Sequence, residues 1–501
     1  MSNELPEGWA KARLRDGVIS GAQTGFACGK HSRDASGVAH LRPMNVSEEG
    51  RLRLDDVKFI DSAEVDRDER WVRSGEVLFN NTNSPELVGK TALYTEESPR
   101  AFSNHMTRVR CTAAADPQFL AHAIHQKWRE RLFASICNNH VSQASISTDV
   151  LLDLELPVPP LAEQRRIVAK VEALLEQVRC AKERLDRVPL ILQRLRQAVL
   201  AAACSGQFTE AWRVANPNRK APARPIADRV ARTRRQGANI SKDGELLIDE
   251  MPDLPDSWAY WRADEVVDPD TVVTYGIVLP GPEHPGGVPY VRQQDIVDGG
   301  ILVNELRHTT PAIAAKHARS TLRAGDVLLC IIRNLRVAMV PKGLDGANIT
   351  QGAVRLRPGQ HVRGDYLAAY LACPAAQAWM KARYFGMDMP RINVEDARAI
   401  PIALPPIDEQ AEIMRRVDAL FRLEEKVRGR VAASINRAGA LPQAILSKAF
   451  AGELVPTEAD LARAENRDYE TAEHALDRLR REVEGGVSRR PANKARGTRT
   501  D

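Results

Sequence analysis

Two stretches of the chain space their apolar residues at steps of three and four. In the first they are Ile167, Val171, Leu174, Leu175, Val178, Leu185, Leu192, Leu195 and Val199; in the second, Ile413, Val417, Leu420, Phe421, Val427, Val431, Ile435, Ile445 and Leu446. That period follows the turn of an α-helix and predicts two long amphipathic helices. About 40 residues run from Glu163 to Ala203, so an unbroken helix there would be ~60 Å long at ~1.5 Å per residue. Pro189 and Pro442 lack the amide hydrogen that a helix interior needs, and are expected to kink each helix or restart it. A stripe of this length must be buried, either on the helix's own globular domain or against the other stripe. The matched lengths favour the second arrangement, an antiparallel coiled coil. Ahead of each helix lie short β-rich runs, EVLFN at 76–80 and DVLLCII at 326–332, broken by Gly, Pro and Asn, which read as strands and turns. The expected fold class is α+β: two mixed α/β domains alternating with two long paired helices.

The alternation comes from an internal repeat. LPEGW at 5–9 returns as LPDSW 249 positions later, and RSGEVLF from Arg73 returns as RAGDVLL from Arg323, 250 positions on. At the same offset Arg42 matches Arg292 and Gly50 matches Gly300. PPLAEQRRIVAKVEALL from Pro159 returns as PPIDEQAEIMRRVDALF from Pro405, and RQAVLAAACSGQF from Arg196 as PQAILSKAFAGEL from Pro442, both 246 positions on. Kept order and nearly constant offset mark a tandem duplication, hence a pseudo-two-fold repeat. The expected organisation is a first domain at 1–155, a helix at 156–208, a basic linker at 209–250, a second domain at 251–401, a second helix at 402–455 and a charged, partly disordered tail at 456–501.

With 501 residues, 43% of them apolar, the chain has material for about three folded units, and disorder throughout is excluded. The longest clean apolar run, 198–204, is far short of the ~20 residues of a membrane span. The opening residues carry charges and a proline where a secretory leader would be apolar. Seven cysteines lie scattered at 28, 111, 137, 180, 204, 330 and 373 without a CxxC, which suggests neither a zinc site nor a disulfide framework and leads us to expect a reducing cytoplasm. The net charge of +5 is uneven: residues 156–250 hold 18 Lys and Arg against 11 Asp and Glu, notably in RVARTRRQ at 229–236, whereas 1–155 hold 19 against 22. A bulk electrostatic nucleic-acid binder would be more basic, so any contact with DNA would use local patches or partner subunits.

Catalytic signatures are missing. TGFACGKH at 24–31 has Thr24 and His31 where a phosphate loop needs Gly and Ser or Thr. No NPPY-like tetrapeptide, HExxH helix, GxSxG elbow or GxGxxG loop occurs. Glu424 and Lys426 have the spacing of some nuclease sites, but read as a solvated helix face. His122 and His125 share a helical turn without a third ligand, and read as a satisfied surface pair. What remains is a binding scaffold whose two similar domains would read two sites at a fixed spacing. Duplex DNA, with its ~34 Å turn, is such a partner.

The doubled blocks LP-x-x-W, GEVLF/GDVLL, PPLAEQ/PPIDEQ and QAVLAAACSGQF/QAILSKAFAGEL resemble the specificity subunit of type I restriction–modification enzymes, over residues 5 to about 454. The resemblance implies two target-recognition domains, each reading one half of a split, asymmetric sequence in double-stranded DNA. It implies that the helices form the ruler for the unread spacer and dock two methyltransferase subunits, and that two restriction subunits join them. S-adenosylmethionine, ATP and Mg are then expected on those partners, with no cofactor, metal or catalytic residue in this chain and no membrane contact. The alternative is a two-site protein-binding adaptor without DNA specificity.

At the helix starts, Glu163, Gln164 and Arg165, with Glu409 and Gln410, follow a Pro-Pro pair. An acidic residue there complements the positive end of the helix dipole. The pair either only caps the helix or also meets a partner subunit. Candidate base readers are side chains with paired donors and acceptors, Arg for guanine and Asn or Gln for adenine. Copy one offers HLRPMNV at 40–46 with Arg42, Met44 and Asn45; NNTNSPELVGK at 80–90 with Asn81, Asn83 and Lys90; and SNHMTR at 103–108 with Asn104, His105 and Arg108. Copy two offers YVRQQDI at 290–296 with Arg292, Gln293 and Gln294; RNLR at 333–336 with Arg333, Asn334 and Arg336; TQG at 350–352 with Gln351; and MDMPRIN at 387–393 with Arg391 and Asn393. Residues matched between copies, such as Arg42 and Arg292, suit shared backbone or phosphate geometry; base readers belong where the copies differ.

Overall fold

The computed structural model describes residues 4–32, 36–139, 143–222, 251–297 and 300–487. The basic stretch at 229–236, the rest of 223–250, and the tail after 487 lie outside the described residues. Contacts divide the chain into two units: Met1–Asp186 with Ala433–Asp501, and Arg187–Ala432.

In the first unit an antiparallel sheet runs in the order Ile19–Thr24, Met106–Cys111, Val77–Asn80, Thr91–Leu93. Val77–Asn80, within the run EVLFN at 76–80, is buried at every position because it is covered on both faces. Val77 and Phe79 enter a core with Phe119 and Ile124 of helix Pro117–Arg129, while Leu78 enters another with Leu41, Val72 and Phe102. A second sheet, Lys58–Ile60, Val38–Leu41, Arg100–Phe102, Trp71–Val72, supplies that other wall, its middle pair parallel.

The second unit follows the same plan. Its antiparallel sheet runs Thr274–Tyr275, Ala353–Leu356, Val327–Cys330, Val337–Met339. Val327 and Leu329 face a core with Tyr366 and Trp379; Leu328 and Cys330 face one with Val291 and Ile349. Strands Arg307–Thr309, Val288–Val291 and Asn348–Ile349 make the second sheet, the last pair parallel.

In each unit a strand near the Leu-Pro-x-x-Trp block pairs with the strand that leads into a long helix: Ala10–Arg13 with Glu155–Val158, and Ala259–Arg262 with Pro401–Leu404. The helices, Leu161–Cys204 and Ile407–Phe450, have 44 residues each and continue through Pro189 and Pro442. The expected restart does not occur; in a ladder of 44 residues the remaining hydrogen bonds outweigh the one that each proline removes. Each unit buries the start of one helix with the end of the other. Ile167 and Val171 share the first unit's core with Leu446 and Ala449, and Val199, Leu200 and Ala203 share the second unit's with Ile413, Met414 and Val417. In the second unit the partner numbers fall as the first helix advances. Arg196 reaches Glu424 at 3.5 Å and stacks 4.0 Å above Phe421, Arg416 donates to the Phe208 carbonyl, and Thr209 donates to Glu409 at 2.7 Å. The two segments there run in opposite directions. Glu424, expected on a solvated face, is buried between Arg196 and Arg428.

The stretch expected as a charged tail is folded over much of its length. Glu458–Glu465 and Ala472–Val487 are helices, with Ala459, Ala462, Ala472 and Leu476 buried in the first unit. Ala472, Ala475, Leu476 and Leu479 supply the apolar stripe that packs on the unit's core, a period overlooked among the surrounding charges.

The two most repeated motifs bond to each other. The Trp9 indole donates to the Glu163 carboxylate at 2.9 Å, and the Trp258 indole to Glu409 at 2.9 Å. The second oxygen of Glu163 accepts the Glu458 amide at 2.7 Å, whereas Glu409 also accepts from Arg213 at 2.8 Å. Burial pushes the Glu163 carboxyl above its ordinary value, against the pull of the Glu458 amide and the indole. Gln164 and Gln410 tie each long helix's start to the start of an earlier helix of its domain, Pro117–Arg129 and Gly364–Leu371. Gln164 accepts from the Asp116 amide at 2.7 Å and donates to Ala114 and Pro159 carbonyls; Gln410 accepts from the Arg363 amide at 2.8 Å and donates to His361 and Pro405 carbonyls. Trp9→Phe and Trp258→Phe keep the ring but leave a buried carboxylate short of a donor. Each is expected to cost about 1–3 kcal/mol, read as a lowered midpoint of urea unfolding followed by circular dichroism; unchanged midpoints would remove the indole–carboxylate bond from the stabilising set.

Candidate nucleic-acid interface

Five loops meet at one end of the sheets in the first unit. The Phe26 amide donates to the Phe102 carbonyl at 3.3 Å and the Asn104 amide to the Phe26 carbonyl at 3.1 Å. The Asn81 amide donates to His105, the Ile146 amide to Asn81, and the Asn80 side chain to the Pro43 carbonyl. The second unit makes the same bonds with other residues. Gln351 donates to Ile277 at 3.1 Å, Ile331 to Gly352 at 3.0 Å, and the Cys330 thiol to the Gln293 carbonyl at 3.7 Å. Its fifth loop arrives through Ile392, which donates to Ile331, and through Arg333, which donates to Pro390. Asn104 therefore stands where Gln351 stands, and Met44 where Gln294 stands. Gly25 and Gly276 permit this closure: a Cβ at Gly25 would meet the Phe102 carbonyl oxygen at 2.3 Å, and one at Gly276 the Ile349 oxygen at 1.9 Å.

The candidates separate by burial. Met44 is 56% exposed, and Gln294, Asn104, Gln351, Arg333, Arg336, Arg391 and Asn393 are exposed as well. Asn83, His105, Gln293 and Asn334 are half-buried on the same loops. Arg333 holds a left-handed backbone at φ 64°, a conformation that costs a non-glycine residue about 1–2 kcal/mol and clusters at binding sites. Arg391 lies 4.9 Å over the Phe385 ring, Arg336 reaches the Ile296 carbonyl at 3.4 Å, and Asn393 caps the helix Val394–Ala399 through the Asp396 amide.

Four candidates are structural instead. Asn45 is buried, accepts the Arg42 amide at 2.9 Å and donates to the Arg53 and Asp56 carbonyls. Asn81 is buried and donates to Thr107 at 3.0 Å and to the Asn104 carbonyl. Lys90 caps the Val46 carbonyl, and Arg108 donates to the Trp71 carbonyl beside Glu76. Burial lowers the proton affinity of both cations. All four side chains are buried and bonded to the loops' own backbone, so these residues shape the loops and do not face a ligand. Arg42 and Arg292 occupy equivalent half-buried places but differ in company. Arg292 is clasped by Asp295 at 2.6 Å, while the same position beside Arg42 is Asn45, and the Arg42 Nε and Nη2 are buried with no hydrogen-bond partner among the described residues.

Glu163, Gln164, Glu409 and Gln410 are fully buried, with the partners described above. They fix the helix starts and offer no surface to another subunit, which corrects the second of the two readings of that motif; Arg165 alone of the set is exposed. His122 and His125 are buried too, not at the surface: His122 pairs with Glu172 at 2.8 Å and His125 with the Glu48 carbonyl at 3.0 Å. Burial pushes His125 down to about 3. Sequence reasoning weighed 24–31 only as a phosphate loop and did not single out 275–279, where Tyr275 and Leu279 are exposed. The signal was present as a Gly followed by an apolar residue, Gly25-Phe26 and Gly276-Ile277, at nearly the repeat's offset.

Asn45→Ala is expected to lower unfolding free energy by about 1–3 kcal/mol, whereas Gln294→Ala and Gln351→Ala should stay within about 0.5 kcal/mol. Chemical denaturation of the full chain measures all three, and equal losses would erase the distinction between loop-building and loop-displayed residues.

Comparison with known proteins places this architecture. The model of the type I restriction modification DNA specificity domain matches residues 48–190 and 283–432. The specificity subunit of the EcoBI type I restriction enzyme of Escherichia coli is 30% identical over 352 residues, covering 69% of this chain and 68% of that one. The EcoKI specificity subunit of Escherichia coli (strain K12) is 25% identical over 496 residues, 95% of each chain. The fold is like that of the HsdS subunit from Thermoanaerobacter tengcongensis, with TM-score 0.55 at 23% identity over 90% of this chain and 98% of that one. It is also like a chain from a structural study of assembly and conformational transition in a type I R-M system, with TM-score 0.62 at 22% identity over 90% and 100%. With more than half its length matched by the domain model and 95% of it by a relative, the chain belongs to the family of type I restriction–modification specificity subunits.

Proposed function

We propose that each unit reads one half of a bipartite, asymmetric DNA sequence through its loop end. The observation that carries this is the pair of matched, exposed positions that differ between copies: Met44 against Gln294, and Asn104 against Gln351. Asn and Gln amides present the donor and acceptor pair that recognises adenine, and Met offers apolar contact for a thymine methyl. Arg333, Arg336 and Arg391 add cationic reach to the second unit's loops, for guanine or phosphate.

In this reading the two long helices pair along their length as an antiparallel coiled coil, completing an internal pseudo-two-fold repeat, and their length sets the unread spacer. The opposite run of the helix segments in the second unit, and the sharing of both helices by each core, support it. Two methyltransferase subunits would dock on the helices' exposed faces, with two restriction subunits beyond them. S-adenosylmethionine, ATP and Mg would be held by those partners, leaving recognition to this chain. Among the described residues no helix is long and apolar enough to cross a membrane. Membership of the specificity-subunit family leaves the protein-adaptor reading without support.

The test is selection of binding sites from random duplexes by the chain assembled with its methyltransferase subunits. One split sequence is expected, and Gln351→Ala should relax a single base position in one half-site, worth about 1–3 kcal/mol of discrimination. Indifference to sequence at physiological salt would overturn the reading. Inserting seven residues into both helices keeps the apolar stripe in phase and lengthens each by about 10 Å. The tolerated spacer should then grow by about three base pairs with both half-sites unchanged; altered half-sites would mean that the helices do not act as the ruler.

A further inference from the structure

After the strand Ile19–Thr24, the segment 26–32 is pinned at both ends. Phe26 is held by Phe102 and Asn104, and Ser32 exchanges backbone hydrogen bonds with Phe59 at 2.8 and 3.0 Å. Between those pins two side chains turn toward the strand Val38–Leu41 and meet a third. Cys28 Sγ lies 3.1 Å from His31 Nε2, His31 Nε2 lies 3.0 Å from His40 Nδ1, and Cys28 Sγ lies 3.9 Å from His40 Nδ1. Their ligand atoms all fall within 4.8 Å of one another.

We propose that Cys28, His31 and His40 form a zinc site in the first unit. Zinc binds thiolate at ~2.3 Å and imidazole at ~2.0–2.1 Å, which places tetrahedral ligand atoms ~3.3–3.5 Å apart. The three observed separations, 3.0, 3.1 and 3.9 Å, bracket that range, so one ion fits without rebuilding the backbone. The ligand types are also those zinc prefers, a soft sulfur with two imidazoles. His40 is buried and its ring is walled by Phe26 at 5.5 Å, edge to face, which fixes one ligand. His31 is exposed, which leaves an entry path and a fourth position for water. On binding, the Cys28 thiol gives up its proton to solvent and the thiolate takes the metal.

The cluster is not part of the scaffold common to both units. Where Cys28 and His40 stand, the second copy has Leu279 and Tyr290, 251 and 250 positions on. A bound ion would therefore fasten one loop of one unit, the Phe26 loop beside Asn104. The spacing Cys-x2-His-x8-His carries the signal, which a search for paired cysteines overlooks.

The experiment uses the full-length chain, stripped with a chelator and reloaded with Zn²⁺ alone or with Co²⁺ as a spectroscopic probe. One zinc per chain should survive desalting. The cobalt form should give a thiolate-to-cobalt charge-transfer band with the intense visible bands of tetrahedral coordination. Cys28→Ser should abolish the charge-transfer band, and His31→Ala, at an exposed position, should weaken binding at least tenfold. Cys180→Ser, a control on the first long helix, should change neither. Zinc should also raise the midpoint of thermal unfolding in the parent chain but not in Cys28→Ser. Failure to retain zinc, or a cobalt spectrum unaltered by Cys28→Ser, overturns the proposal.

Discussion

A buried carboxylate at the start of a helix is the constraint on which each unit is built. Glu163 and Glu409 have no exposed surface, and an ionised carboxylate out of water is tolerable only when hydrogen bonds replace its hydration. The replacement comes from far away in the chain, from Trp9 at a separation of 154 residues and Trp258 at 151. Each bond closes its domain into a ring, drawing the first strand of the mixed domain to the helix that follows it. The neighbouring glutamine then binds the start of another helix. One dipeptide thus sets the direction in which the long helix leaves the domain.

That rigidity is what a reading surface requires. Loops can present side chains at fixed places only if the backbone beneath them is held, and here the holding is done by polar residues that never reach solvent. Asn45 organises the turn that displays Met44, and Asn81 organises the ends of the loops around Asn104. In the second unit Asp295 takes the place of Asn45 and clasps Arg292, while Gln294 is displayed. The same backbone therefore carries different displayed chemistry in the two units, which is how one duplicated domain can address two unlike half-sites.

Much of this was legible in the sequence, and the failures are instructive. The helices were visible because burial along one face imposes a 3.6-residue period, and the duplication because two domains with one packing problem keep the same solutions. Which asparagine faces outward was not visible. Asn45 and Asn104 both sit in polar loops, and only the closing of the loop decides that one amide is buried against the backbone while the other is exposed and accepts from the Ser103 hydroxyl at 3.3 Å. The Glu-Gln motif was recognised as a helix start, but its burial depends on Trp9 and Trp258, whose contact crosses the whole domain. The last helices were masked by their charges, since a short apolar stripe of alanines and leucines is faint beside so many arginines and glutamates. Prolines within the long helices misled in the other direction, because one lost hydrogen bond is a small part of a 44-residue ladder.

The first unit is assembled from both ends of the chain, Met1–Asp186 and Ala433–Asp501, whereas the second, Arg187–Ala432, is one continuous stretch. The Ala472 amide donates to the Gly8 carbonyl at 3.0 Å, so the segment around Gly8 is completed by one made more than 460 residues later. During synthesis the contiguous unit at 187–432 has all its residues before the first unit does, so the usual amino-terminal-first order of domain completion does not apply to this arrangement.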